Sequence, residues 1–588
     1  MAEARQVVPG VEARAGKFRG PSLIPALTAI QERVGWLPRE ELVALARDVR
    51  RPLYEIEGLI SFYPHFKTEP PQQVELRVCR DLSCWLRGGD GAIAGAHAQY
   101  DDDPAVSVVE GSCLGRCDIA PAAAVNERPV ALAAAGPLIE TARAAGAHSS
   151  PSGSGAAGTG TWVNGAGPAR TSTAAGARQW PNDPYQPGEE RYAVLRAVLA
   201  GDLDAAEVIA ALKDAGLRGM GGAGFPAGRK WELVAAQAAT PKYVICNADE
   251  SEPGTFKDRQ ILAEQPHLVL EGMLLGMIAV GADEGWVFIR HEYGPEEMVI
   301  RAEIDWLRGA GLIGPAVRTG RDGSGPHRRL AVDVFTSPGG YILGEESALL
   351  ECMEGHRGEP RNKPPFPGVY GLHGQPTLMN SVETFAHIPI IVRRGAQWWI
   401  KQGRGDHAGL KFFAVSGHVE RPGVYCVPMG TTARELLDLA GGVSGGSAVG
   451  AVQPGGASSN FLGPDQLDVE LDFGTVAAAG SMLGSGAMVV LAEGTDLLAA
   501  AVNVLRFFRD ESCGKCVPCR VGSAKSHQIL AGVLAAGGGA ADVDDRISEL
   551  ATVMRRTSIC GLGQVALGPV ASVLKLTAAN GRGSAGEG

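Results

Sequence analysis

The chain has 588 residues, 45% of them hydrophobic and 6% aromatic, with a formal net charge of −11. At about 150 residues per domain it holds roughly four domains, and its acidic balance excludes a general nucleic-acid binder, which needs a basic face. No apolar run is long enough to span a bilayer, and the start, MAEARQVVPGVEARAGKFRG, lacks an apolar signal core, so a cytoplasmic protein is expected.

Residues 22 to 64 are predicted to be helical: in SLIPALTAIQERVGWLP, Leu27, Ile30 and Val34 recur on one helix face, and two shorter helices follow. From Val74 the pattern alternates (QVELRV), then VSVVEG and AAAVNERPVAL add strands, so a small α/β unit follows the helices. Residues 146 to 180 are rich in Gly, Ser, Ala and Thr and read as a flexible linker. Beyond it, two helices, a glycine loop and the strands KYVICNAD and GWVFIRHEY have the order of an α/β domain. KFFAVSGHVERPGVYCVP and TTARELLDLAGG predict a small β unit with one helix, and the last hundred or so residues are mostly helical, ending in a tail, NGRGSAGEG, expected to be disordered.

Eight of the eleven cysteines fall in two clusters, which suits metal or redox chemistry in a reducing compartment rather than a disulfide scaffold. In ESCGKCVPCRVG, Cys513, Cys516 and Cys519 are spaced C-x2-C-x2-C. This suits three corners of a cubane iron–sulfur cluster, with Cys560 of TSICGLG as the candidate fourth ligand. Lys515, Arg520 and backbone N–H groups are placed to balance its charge. A zinc knuckle or a redox C-x-x-C is the alternative, but neither uses a third thiol plus the downstream Cys-Gly-Leu-Gly. Cys79 and Cys84 (C-x4-C) with Cys113 and Cys117 (C-x3-C) suit a [2Fe–2S] cluster, two thiolates per iron, with a zinc site as the alternative. Cys246, Cys352 and Cys426 read as small buried hydrophobes.

GLRGMGGAGFPAGRKW, residues 216 to 231, holds six glycines and fits neither standard phosphate-loop spacing. Such a loop exposes backbone N–H groups to a nucleotide or flavin, with a plain flexible turn as the alternative. Lys230 could meet a phosphate or the flavin, and Phe225 could stack on a flat ring. CNADESEPGTFKDR crowds Asn247, Asp249, Glu250 and Glu252 just after a strand, either as a solvated acidic turn or as a strand-end site for ring edges and ribose hydroxyls. GGYILGEESALLECMEG repeats that logic with Glu345 and Glu346. PRNKPPFPG frames Lys363 and Phe366, and PTLMNSVETF adds Asn380 and Thr384.

Together these motifs resemble the flavin subunit of respiratory complex I and its soluble relatives, and residues 1–145 resemble the 24-kDa-type [2Fe–2S] subunit of the same enzymes. A fusion of the two resembles the diaphorase chain of NAD-dependent molybdenum or tungsten formate dehydrogenases and of NAD-reducing hydrogenases. VQPGGASSNFL and ELDFGTV look closest to the formate dehydrogenase β subunit. The resemblance implies N-terminal helices (1–73), a thioredoxin-like [2Fe–2S] domain (74–145), a linker (146–182) and a Rossmann-like FMN/NAD domain (183–408). A ubiquitin-like β-grasp domain (409–490) and a C-terminal helical bundle carrying [4Fe–4S] (491–588) complete it.

It also implies that Gly219, Gly221, Gly222, Lys230, Asn247, Asp249, Glu250, Tyr341, Gly344, Glu345, Asn380 and Thr384 surround FMN, and that Phe225, Glu252, Glu346, Lys363 and Phe366 face NAD(H). The implied reaction is hydride exchange between nicotinamide and FMN, with single electrons passing to or from the clusters. No side chain need act as general acid or base. In a formate dehydrogenase the partner would be a subunit with the metal–pterin site. A hydrogenase or complex I partner, or a non-catalytic iron–sulfur scaffold, are the competing readings. Two residues depart from the family pattern: Met220 stands where Arg is usual, and Ser381 replaces the second Asn of N-N-V-E-T. Neither removes a backbone donor, so FMN is expected to bind.

Overall fold

The computed structural model describes residues 22–145 and 179–583, except 187, 322 and 544. Most of the expected linker therefore lies outside the described residues. Its last residues, 179–182, are not linker-like: Trp180 and Asn182 are buried, and Trp180 Nε1 donates to Glu264. A large indole, and an amide oxygen that accepts from Gln265 Nε2, anchor the chain here, so residues 179–182 are already packed against the flavin segment. The helix Gly568–Gly583 likewise runs into the tail expected to be disordered.

Three helices, Ile24–Val34, Arg39–Asp48 and Leu53–Ile60, open the described chain. Their apolar faces pack into a core shared with the flavin segment and the C-terminal helices: Leu23, Leu27 and Ile56 join Phe288, Leu343 and Phe507. The first sheet contains β1 (Val74–Cys79), β2 (Val106–Gly111), β3 (Ala122–Val125) and β4 (Arg128–Ala131), in the order β2-β1-β3-β4. Because β1 and β2 are parallel and Cys79 lies opposite Gly111, both cysteine loops leave the sheet at the same end.

The second sheet is the frame of the site. Strands β5 (Tyr243–Ala248), β6 (Glu284–Arg290), β7 (Gly314–Val317), β8 (Arg328–Ser337) and β9 (Thr377–Ser381) lie in the order β7-β8-β6-β5-β9. All but the edge strand β7 run parallel. Parallel strands need crossovers that bury both faces, which explains the helix Pro266–Val280: it is apolar all round and buried along nearly its whole length. Among the described residues no single helix is long and apolar enough to cross a membrane, and the bent pair Lys257–Glu264 and Pro266–Val280 is core.

The third sheet, β10 (Leu410–Gly417), β11 (Gly423–Pro428), β12 (Val449–Gln453) and β13 (Ala487–Ala492), has the order β11-β10-β13-β12 with β10 and β13 parallel. Its helix Ala433–Leu439 begins at a capping box between Thr432 and Glu435. Leu497–Asp510, Val517–Ala535, Arg546–Thr557, Gly561–Val565 and Gly568–Gly583 make the C-terminal bundle. The thioredoxin-like, Rossmann-like parallel, β-grasp and helical units are the mixed α/β architecture expected.

Candidate functional site

Three of the motifs singled out in the flavin segment lie at the carboxyl ends of parallel strands, where open α/β sheets bind ligands, and the glycine loop between the helices Ala205–Asp214 and Ala227–Ala235 reaches the same edge through Met220 and Thr384. Asn247 to Glu252 span the end of β5 and the loop after it, the Gly339–Glu346 stretch follows β8, and Asn380 to Thr384 span the end of β9 and the start of the next helix. Cys246 of β5 lies opposite Asn380 and Asn247 opposite Ser381, so two motifs far apart in sequence share one edge.

The glycine loop folds back on itself, with Gly219 N–H donating to Phe225 O at 2.8 Å. Gly222 has φ +119°, which side chains other than hydrogen rarely adopt. The two departures from the family pattern meet here. Met220 N–H donates to Thr384 Oγ1 at 2.9 Å, and Ser381 Oγ lies 2.9 Å from the same oxygen. A buried Met220 places no charge at this point, and the short Ser381 fits beside Gly221.

Asn247 Nδ2 donates to Gly344 O. Asp249 is buried, and its Oδ1 has no hydrogen-bond partner among the described residues. Burial, opposed by Arg290, pushes its pKa up to about 7. An orphaned buried acceptor is costly unless a ligand supplies the missing donor. The ring and ribityl donors of a flavin nucleotide would do so, and the glycines keep the backbone open beside it. With its amide oriented so that both ends are satisfied, Asn380 donates to Met379 O and accepts from Trp231 Nε1. Lys230 Nζ donates to Met379 O at 3.0 Å, and burial lowers its pKa. Lys363 Nζ holds both Glu345 (2.6 Å) and Glu346 (2.7 Å), and although burial alone would lower its pKa, these carboxylates raise it. Phe225 and Phe366 stand 44% and 58% exposed.

Glu250 departs from the expected arrangement. Its carboxylate accepts from Asp258 N–H, Arg259 N–H and Tyr293 OH. Both oxygens are thus committed to the start of the helix Lys257–Glu264, and Glu250 is a brace rather than a free ligand group. Glu252 is tied instead to Tyr341 OH (2.6 Å) and to the backbone N–H of Ser458.

Several contributors escaped the sequence reading because their partners are remote. Ser458 and Phe473 come from the β-grasp unit, where Arg218 lies 4.5 Å over the Phe473 ring beside Gly224. Glu511 accepts from Ser112 Oγ (2.6 Å) and from Tyr341 N–H (2.8 Å). One half-buried carboxylate thus joins both cysteine loops to the flavin segment. Arg290 donates to Cys113 O and Glu250 O, and Arg259 to Gly115 O and Asp118.

The four N-terminal thiols are buried together, with Cys113 Sγ 3.5 Å from Cys117 Sγ, and Ala122 N–H pointing at Cys84 Sγ. Cys513, Cys516, Cys519 and Cys560 line one small cavity closed by Ile342, Pro360 and Leu562. Ser512 Oγ lies 3.2 Å from Cys519 Sγ, and backbone N–H groups of Leu562 and Gly563 bond Cys560. Burial pushes the Cys519 thiol up to about 11 and Cys560 up to about 12. Bound iron would relieve that cost, since thiolate rather than thiol is the ligand. Lys515 Nζ donates to Pro360 O, bracing the loop. Converging thiols with N–H and O–H donors to sulfur fit a cubane cluster in one place and a two-iron cluster in the other.

The fold and these sites define an NADH-oxidising flavin and iron–sulfur module. Residues 212–390 match the Nuo51 FMN-binding domain, 14–137 the thioredoxin-like [2Fe-2S] ferredoxin, 499–579 the NADH-ubiquinone oxidoreductase-F iron-sulfur binding region and 412–458 the SLBB domain. The chain is 40% identical over 390 residues to an F-type NADH-quinone oxidoreductase subunit of Rhizobium meliloti, covering 65% of this chain and 90% of that one. It is 42% identical over 370 residues to the NADP-reducing hydrogenase subunit HndC of Solidesulfovibrio fructosivorans (63% and 74% covered). A crystal structure of an NAD+-reducing [NiFe]-hydrogenase superposes with TM-score 0.79 at 30% identity, covering 94% of this chain and 92% of that chain. The protein belongs to the family of F-type NADH-quinone oxidoreductase subunits, with a thioredoxin-like [2Fe–2S] unit fused ahead of the flavin unit. Its cofactors are those of the family: FMN, NAD(H), one [2Fe–2S] and one [4Fe–4S] cluster.

Proposed function

We propose that this chain is the diaphorase subunit of an NAD+-reducing formate dehydrogenase complex. The observation that carries the diaphorase reading is the convergence of three sites: the orphaned Asp249 Oδ1 among the strand-end glycines, and two cysteine clusters bridged to that segment through Glu511. Bound FMN would exchange hydride with NAD(H) and single electrons with iron–sulfur clusters, which neither a nicotinamide nor a cluster can do alone. Cys513, Cys516, Cys519 and Cys560 hold the [4Fe–4S] cluster, and Cys79, Cys84, Cys113 and Cys117 the [2Fe–2S] cluster. Gly219, Gly221, Gly222, Lys230, Asn247, Asp249, Tyr341, Gly344, Glu345, Asn380 and Thr384 position FMN, while Glu250 braces the loop from behind. Phe225, Glu252, Glu346, Lys363 and Phe366 face NAD(H), the two exposed rings offering flat surfaces to it.

The formate dehydrogenase partner, a metal–pterin subunit, is supported by VQPGGASSNFL and ELDFGTV. A second reading, the diaphorase of a nickel–iron hydrogenase, is favoured by the full-length likeness to that enzyme's chain. Metal analysis of the native complex separates them: molybdenum or tungsten supports the first reading and nickel overturns it. The chain alone should reduce an artificial acceptor with NADH and leave formate untouched; formate oxidation by the chain alone would count against the assignment.

A further inference from the structure

His65, Glu127 and His291 come from three different units and meet at one point outside the sites above, their ligand atoms all within 4.8 Å of one another. His65 follows the last N-terminal helix, Glu127 is in the β3–β4 turn, and His291 follows β6. His65 Nδ1 lies 3.2 Å from Glu127 Oε1, and the two imidazole rings are 4.4 Å apart between centroids. We propose that these three side chains form a zinc site that clamps the N-terminal helices and the thioredoxin-like unit onto the flavin domain.

Two imidazoles and one carboxylate are a regular zinc donor set, with a fourth position left for water. Zinc bonds of about 2.0–2.1 Å set tetrahedral donors a little over 3 Å apart, close to the observed His65–Glu127 separation. The His291 side chain is only 7% exposed, and neither of its ring nitrogens makes a hydrogen bond among the described residues, although Nδ1 stands 3.4 Å from Glu292 Oε2. A covered ring nitrogen without a hydrogen bond needs an explanation, and a metal would take up one of the two, leaving the other facing a neighbour such as Glu292.

The backbone is set for this meeting. His65 N–H donates to Pro338 O and its carbonyl accepts from Gln31, which fixes the residue from both sides. Gly339 leaves room for the His291 ring, because a Cβ there would lie 2.8 Å from Cε1. Glu127 has φ +65° in a tight hairpin where glycine is favoured. A long acidic side chain held in that conformation is a strained choice of the kind found at functional positions. The charges facing the cluster are already paired: Glu292 holds Arg290, and Arg77 holds Glu75. Glu127 is 40% exposed on its side chain, so solvent and ion have a path in.

Zinc chloride is the probe, dialysed at micromolar concentration against the full chain loaded with iron and FMN. The wild-type chain should bind one zinc more than His65→Gln or His291→Gln, with iron and FMN contents the same in all three. Glu127→Gln should bind that zinc more weakly. Equal zinc in wild type and both histidine variants, or none in the wild type, would overturn the proposal. Zinc-edge X-ray absorption on the unmutated chain needs no variant to fold. Nitrogen and oxygen neighbours at about 2.0–2.1 Å support the site, whereas sulfur at about 2.3 Å places the zinc on cysteines and refutes it.

Discussion

Glu383, the acid of MNSVETF, offers the sharpest test of how the flavin and β-grasp units are joined. Its Oε2 lies 2.7 Å from Lys411 Nζ and 2.9 Å from Lys257 Nζ, and Oε1 accepts the N–H of Phe412. Lys257 also pairs with Asp258 at 2.7 Å, so two cations and two carboxylates balance inside the protein, all buried. Glu383→Gln keeps the shape and leaves one positive charge in excess. Stranding a buried charge costs about 3–5 kcal/mol, which at roughly 2–4 °C per kcal/mol lowers Tm by roughly 6–20 °C. The loss should depend on pH. Burial lowers the Lys411 pKa to about 8, with Glu383 holding it from falling further. Without Glu383 it falls further still, so the extra cost from Lys411 is fully present well below pH 8 and fades as pH rises through about 8, where Lys411 is neutral in both proteins. Removing the second charge as well, in Glu383→Gln/Lys411→Met, should recover most of the loss. Differential scanning calorimetry between pH 6.5 and 9 is the assay. A Tm within a degree or two of wild type, or a deficit that widens with rising pH, would refute the reasoning.

Cys516→Ser should keep FMN and NADH oxidation with an artificial acceptor while losing cluster iron and electron transfer to the partner, read by iron analysis and partner-coupled assay. Gly222→Ala forces a side chain into φ +119° at a cost of about 1–3 kcal/mol, so FMN content after gel filtration should fall while the clusters persist. Asp249→Asn should stabilise FMN-depleted protein. The folded-state pKa of Asp249 is raised to about 7, above its unfolded value, so wild-type stability is lost as pH rises through that window. The gain in Tm from the substitution should therefore grow from about pH 4 to pH 7 and then level off.

The clustering of the cysteines was legible because thiol spacing is local: Cys513, Cys516 and Cys519 sit within one loop and the first turn of the following helix. The strand-end motifs were legible as well, since glycines and acids following β-rich runs mark the carboxyl edge of a parallel sheet. What joins the sites was not. Ser112 and Glu511 are 399 positions apart, and only the folded chain brings that carboxylate to both cluster loops. Glu250 read as a site acid because its neighbours are polar, yet backbone donors eight and nine positions later take up its oxygens. Lys411 looked like an ordinary strand residue, whereas it is a fully buried cation paired with Glu383. The partner was least legible for a physical reason. VQPGGASSNFL and ELDFGTV place Ser458 and Phe473 against Glu252 and the glycine loop, so the partner is read from them only through their likeness to the formate dehydrogenase β subunit and not from a docking surface.

The central claim is that this one chain carries a flavin electronically connected to the four C-terminal thiolates. Anaerobic titration of the purified chain with NADH, followed by low-temperature EPR with iron and flavin analysis, tests it most directly. One FMN and about six irons per chain, with cluster signals developing on NADH addition and the cubane signal lost in Cys516→Ser, is the predicted result. Zinc at Cys513, Cys516, Cys519 and Cys560, or clusters that stay oxidised while NADH is consumed, would contradict it.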